Sequence, residues 1–265
     1  MLEQMLMVAW AAMLGLVVGS GINALVWRLH EGTSWVHGRS HCSHCGHMLA
    51  AKDLVPVLSW VILGGKCRYC HRPITDGPAI ELATGVSFGL SMWVLYPGLL
   101  TNIVMVALWF VLMTLLLALA AYDWRWMLLP DKLMIPLVVL AGVATAYGAI
   151  VLQDWHITGG ALAAAVLAGG VFWIMAAASK GRAMGGGDIK LAFAMGLMLG
   201  LQSTAVAMFI AFNVAAIAGV VLIVTKRRGR RDHIPFGPYL VLGTIIAYLY
   251  GRDIVAAYLR LGGIG

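Results

Sequence analysis

Eight stretches of this 265-residue chain are apolar for long enough to cross a bilayer, and they constrain everything else the chain can fold into. A helix needs about 20 residues to span roughly 30 Å of hydrocarbon. The runs fall near 5–27, 80–97, 101–122, 133–152, 157–179, 188–202, 204–225 and 236–258. Backbone polar groups in lipid must be satisfied within each segment, so these runs mean helices. A mean hydropathy of +0.90 with 11% charged residues excludes an ordinary soluble domain. The expected fold is an all-α polytopic membrane protein of about eight transmembrane helices, with a small cytoplasmic four-cysteine zinc-binding domain between the first and second.

Lysine and arginine set the expected orientation. The opening MLEQM has no basic residue ahead of its apolar run, which argues for an uncleaved helix rather than a signal peptide. With the N-terminus outside, the inner connections carry six (28–79), two (123–132), three (180–190) and five (226–231) cations, which is sixteen of the eighteen. That bias points these loops to the cytoplasm. It accounts for the net charge of +7 without nucleic acid, and KRRGRR at 226–231 reads as an anchor beside anionic lipid.

The connection at 28–79 holds all four cysteines, in "HCSHCGH" and "GKCRYCHRPI". Cys42, Cys45, Cys67 and Cys70 form two C-x2-C pairs, each able to offer two thiolates from one tight turn, and four thiolates satisfy a tetrahedral Zn²⁺. A redox dithiol is the alternative, and a reducing compartment disfavours disulfides. His41, His44, His47 and His71 stand beside the cysteines and read as solvated loop residues. A closed four-thiolate shell leaves no position for water, so such a metal holds the loop together and does no chemistry. The expected division is 1–27 first helix, 28–79 zinc domain and 80–265 membrane core.

Catalysis is therefore sought among eleven acidic residues. Glu3, Glu31, Asp53, Asp76, Asp154, Asp232 and Asp253 fall in loops or at the interface, where no special role is needed. Glu81 opens the second span, where the helix dipole favours it. Asp131 follows Pro130 and reads as the N-cap of the fourth span. Asp123 is different, because it ends the third span and a negative charge there opposes the macrodipole. Asp188 follows Gly185, Gly186 and Gly187 in "MGGGDIKL". Each glycine costs roughly 1 kcal/mol in a helix relative to alanine, more than a first-turn carboxylate returns. The expectation is positive φ and close approach of another chain to Asp188. Two carboxylates at one membrane face are functional candidates. Placed together they cannot both ionise easily, so one keeps a proton while the other deprotonates water, as in aspartic proteases.

"GSGINALVWRL", the four-cysteine loop, "AIELATG", "YDWRWMLLPDKL", "MGGGDIKL" and "IPFGPYL", in that order, resemble the bacterial type IV prepilin peptidases, membrane aspartic proteases of the G-x-G-D kind. The resemblance covers nearly the whole chain. It implies that Asp123 and Asp188 are the catalytic pair, with Gly185, Gly186, Gly187 and Asp131 supporting the catalytic loops. It implies removal of a short basic leader from prepilins or pseudopilins at the cytoplasmic face of the bacterial inner membrane. Methylation of the new N-terminus by S-adenosylmethionine is expected to follow. No glycine-rich adenosylmethionine loop of the soluble kind is visible, so the methyl-donor site is unassigned and Glu81 is the one candidate. Two readings from other classes are a proton-coupled transporter and a non-catalytic zinc-domain assembly factor. A transporter would place its carboxylates near mid-bilayer on broken helices or repeats, whereas these lie at one interface. The intact carboxylate pair argues against the assembly factor, and cleavage of a purified prepilin separates all three readings.

Overall fold

The computed structural model describes residues 1–34, 38, 40–74, 77–181, 184–226 and 234–262. Asp76, Asp232 and all but Lys226 of the KRRGRR run lie outside the described residues. Among those described, seven helices are long and apolar enough to cross a membrane, so the chain is a multi-pass membrane protein. The only β pairing there is two isolated bridges, His41 with Met48 and Lys66 with Pro73. The chain divides into two compact units, Met1–Ile103 and Val104–Gly265.

In the first unit, α1 (Leu2–Glu31) runs beyond its expected limits and ends at Gly32, whose left-handed φ of 69° lets its N–H reach back to the α1 carbonyls. The start of the 28–79 connection is thus helical. α3 (Ala79–Thr101) packs antiparallel to α1, since Gln4 Nε2 donates to the Trp93 carbonyl at one end and Gly19 abuts Glu81 at the other. Lipid is as apolar as leucine, so membrane helices associate through close backbone approach at small residues. Gly15 and Gly19 on α1, with Gly85 on α3, supply it: a Cβ at Gly15 would lie 2.7 Å from the Thr84 carbonyl oxygen. Between the two helices lie a short 3₁₀ turn (Ala51–Asp53) and α2 (Leu58–Ile62).

The second unit contains α4 (Ile103–Trp126) from its second residue on, α5 (Asp131–Leu152), α6 (His156–Ala178), α7 (Gly186–Val224) and α8 (Gly237–Leu261). The runs expected at 188–202 and 204–225 are the two halves of α7, which breaks at Gly200, where φ is 69° and ψ 178°. Glycine alone enters that conformation without strain. Antiparallel pairing of the first half with α6 is fixed by Gly196 against Ala165 and Phe193 against Gly169. The second half pairs antiparallel with α8 through Ser203 at Gly251 and Ala207 at Gly243. Because Gly237 at the head of α8 meets Asp123, α7 leaves from and returns toward the same end of the unit. α4 and α8 are also antiparallel, with Trp109 stacked on Tyr248 at 3.6 Å.

A candidate two-carboxylate active site

The last turn of α4 carries Asp123, 5% exposed, behind the buried Leu119 and Tyr122. The helix closes when Met127 enters the left-handed region, at φ 53°, and its N–H bonds the Asp123 carbonyl. What offsets the unfavourable dipole at this helix end is another helix beginning there. The N–H of Gly237, first residue of α8, donates to Asp123 Oδ2 at 2.9 Å. A helix N-terminus presents unpaired N–H groups and partial positive charge, and so favours a carboxylate. Phe236, adjacent in sequence, clusters with Phe172 of α6 and Phe212 of α7 at 6.1 and 5.2 Å, which pins the head of α8.

Asp188 stands at the third position of α7, half-buried, and its Oδ2 accepts the Gly185 N–H at 3.3 Å. It lies near enough for its charge to act on Asp123. The two carboxylates that the sequence singled out therefore lie within electrostatic range of each other, although they stand 65 positions apart in the sequence.

The glycines before Asp188 act differently from the expectation. Neither Gly185, Gly186 nor Gly187 has positive φ: Gly185 is extended at φ −80°, and the other two open the helix. A Cβ at Gly187 would lie 2.7 Å from Leu129 Cβ, so glycine there lets the head of α7 press against the segment joining α4 to α5. Gly186 faces open space. Asp131 is likewise corrected. Pro130 occupies the N-cap and makes no side-chain cap bond, while Asp131 Oδ1 pairs with Lys190 Nζ at 2.5 Å. Both partners are more than half exposed. Sequence reasoning quoted "IPFGPYL" but gave Gly237 no role; a Gly-Pro pair at the head of an apolar run was the available signal.

In the first unit the four Sγ atoms of Cys42, Cys45, Cys67 and Cys70 lie within 4.8 Å of one another. Two matching turns bring them together. The Cys42 N–H bonds the His47 carbonyl and Gly46 N–H the Cys42 carbonyl; Cys67 with Arg72 and His71 with Cys67 repeat the pattern. Gly46 and His71, each following the second cysteine of its pair, are both left-handed. Zn–S bonds of about 2.3 Å put the corners of a tetrahedron about 3.8 Å apart, and Cys42 Sγ lies 3.9 Å from Cys70 Sγ. The donor set fits a tetrahedral thiolate metal. The four flanking histidines are exposed and outside the cluster, as solvated residues are. Asp53 braces the fold by accepting from Arg68 Nε at 2.6 Å, Tyr69 and the Ala50 N–H, and the Arg68 bond holds its carboxyl below the usual range. Glu81 accepts the Val57 N–H at 2.6 Å, joining the head of α3 to α2.

Family models match both parts of the chain: "Bacterial Peptidase A24 N-terminal domain" over residues 13–95 and "Type IV leader peptidase family" over residues 110–222. Among curated relatives, a "Prepilin leader peptidase/N-methyltransferase" of Bacillus subtilis is 33% identical over 255 residues, covering 93% of this chain and 96% of the relative. Proteins of the same name from Xanthomonas campestris and Pseudomonas aeruginosa are each 30% identical, covering 96% and 95% of this chain and 95% and 93% of theirs. No solved structure matches.

Proposed function

Because the chain belongs to the prepilin leader peptidases of the type IV leader peptidase family, we propose that Asp123 and Asp188 hydrolyse the bond joining a prepilin or pseudopilin to its leader. The observation that carries this is two carboxylates within electrostatic range of each other, one buried on a helix N-terminus and one half-buried. One carboxylate takes a proton from water as the oxygen attacks the scissile carbonyl, and the other, protonated, gives its proton to the carbonyl oxygen. The tetrahedral diol then returns a proton to the second carboxylate while the first protonates the departing amine. Both groups end as they began. We assign the protein to the bacterial inner membrane with this end at the cytoplasmic face, supported by the bias of lysine and arginine.

The four cysteines would hold structural zinc, which supplies cohesion to the 28–79 connection. About one zinc per chain is expected, lost when Cys67, buried in the cluster, becomes serine. The loop should then become protease-sensitive. A metal-free wild-type protein whose four thiols alkylate freely would overturn this reading.

The methyl donor of the relatives' name would be S-adenosylmethionine, which supplies a methyl group to the new amino terminus. A cleft of about 290 Å³ in the first unit suits it, lined by Trp27, Trp60, Glu31 and Glu81 among others, with Arg28 also there and Asp53 already paired to Arg68. Trp60 Nε1 is buried with no hydrogen-bond partner among the described residues, a donor awaiting an acceptor. The indoles and carboxylates suit a sulfonium cation.

The assay is direct. Purified chain mixed with a purified prepilin should release leader and mature protein, identified by mass, and added S-adenosylmethionine should increase the mature mass by one methyl group. An intact prepilin after prolonged incubation would sink the peptidase reading.

A further inference from the structure

The second unit contains an apolar groove of about 650 Å³ walled by α5, α6 and the first half of α7. We propose that this groove receives an apolar segment of the prepilin that follows the cut bond and anchors the substrate in the membrane, so that this stem lies along α5 and α6 with the scissile bond beside Asp188. The inference rests on the peptidase reading above.

Three observations point to this occupant. The first is continuity: Ile189 and Lys190, which follow Asp188 in sequence, line the groove, so it begins at the level of the carboxylates. From there α5 lines it from Asp131 to Val139, a run of about 12 Å at 1.5 Å per residue, or roughly two turns. The second is polarity. The charged lining residues are Asp131 and Lys190, paired with each other at the end next to Asp188, and the rest of the wall is apolar, with Ile135, Val139, Val166 and Trp173 exposed. A chain that changes from polar to apolar at the bond to be cut matches that gradient. The third is shape. A Cβ added at Gly170 on α6 would meet nothing within 4 Å, so the groove there is floored by backbone, and small residues let an incoming helix approach closely. An endopeptidase holding its carboxylates at an apolar boundary must also hold the remainder of a membrane-anchored substrate, and this groove adjoins the carboxylates.

The experiment uses the full chain in proteoliposomes, with Asp188→Asn to halt turnover and a benzophenone amino acid at Val139. A parallel chain carries the probe at Val220, exposed on the second half of α7 and outside the groove. Illumination with a purified prepilin should cross-link its apolar segment to position 139 at least tenfold more than to position 220. In the otherwise wild-type chain, Gly170→Leu fills the floor and should raise KM about tenfold with kcat within twofold. Equal labelling at the two positions, labelling at 139 by lipid alone, or an unchanged KM in Gly170→Leu would overturn the proposal. If Asp188→Asn alone still cleaves, the carboxylate assignment fails instead, and the cross-link at 139 is judged separately.

Discussion

Replacing Asp188 by asparagine lowers prepilin cleavage by about 10³-fold or more and leaves the chain inserted and folded. Asparagine has an oxygen able to accept the Gly185 N–H, as Asp188 Oδ2 does. What it lacks is a proton to give or take, and positioned acid–base groups contribute roughly 10²–10⁴-fold. Asp123→Asn should lose as much, since its amide oxygen can accept the Gly237 N–H at a stability cost of about 1 kcal/mol. Asp131→Asn removes an ion pair exposed on both sides, worth at most about 1 kcal/mol, and should reduce turnover less than about tenfold. Cleavage of one prepilin by the three purified variants, with thermal unfolding in detergent, checks the set. Near-normal turnover by Asp188→Asn beside a dead Asp131→Asn would reassign the pair.

The membrane helices were legible because lipid forbids alternatives: a run that is apolar throughout has to satisfy its own backbone, and helices do so. The carboxylates were legible because so few charges exist that each must be explained, and Asp123 had no local explanation. Its stabilising partner was not legible, since nothing near position 123 announces that a helix beginning at Gly237 will end against it. The reversal at Gly200 was anticipated only as a gap between two runs; one glycine within "MLGLQS" does not declare a left-handed φ. The glycines before Asp188 show the opposite failure. Their cost in a helix was read correctly, but the positive φ expected of them is absent, and at Gly187 a contact inside the protein, with Leu129, already requires glycine. The pairing of α3 with α1 was hidden for a related reason: Gly15, Gly19 and Gly85 mark helix contacts, yet one sequence does not say which small-residue stripes face one another.

Gly237→Ala should cost about 10²-fold in cleavage, and the sign of its effect separates two accounts of this position. Helix propensity favours alanine by roughly 1 kcal/mol at an interior site, so a glycine with no other duty would yield a more stable and equally active protein. The geometry opposes that outcome, because a Cβ on residue 237 would lie 2.7 Å from Asp123 Oδ2 and 3.1 Å from its Cγ. Either the carboxylate swings away, breaking its 2.9 Å bond to the α8 N–H, or the head of α8 retreats from the Phe172, Phe212 and Phe236 cluster. Displacement of a catalytic group by about 1 Å is enough for a 10²-fold loss. Gly251→Ala, about three-fifths of the way along the same helix, is the control: its Cβ would lie 2.8 Å from Ser203 Oγ, a comparable crowding 14 residues beyond Gly237. That variant should lose thermal stability and keep turnover. Measured on the same preparations, wild-type cleavage by Gly237→Ala would show that the α8 amide is not what positions Asp123. Equal losses of cleavage in both variants would assign the effect to the packing of α8 in general.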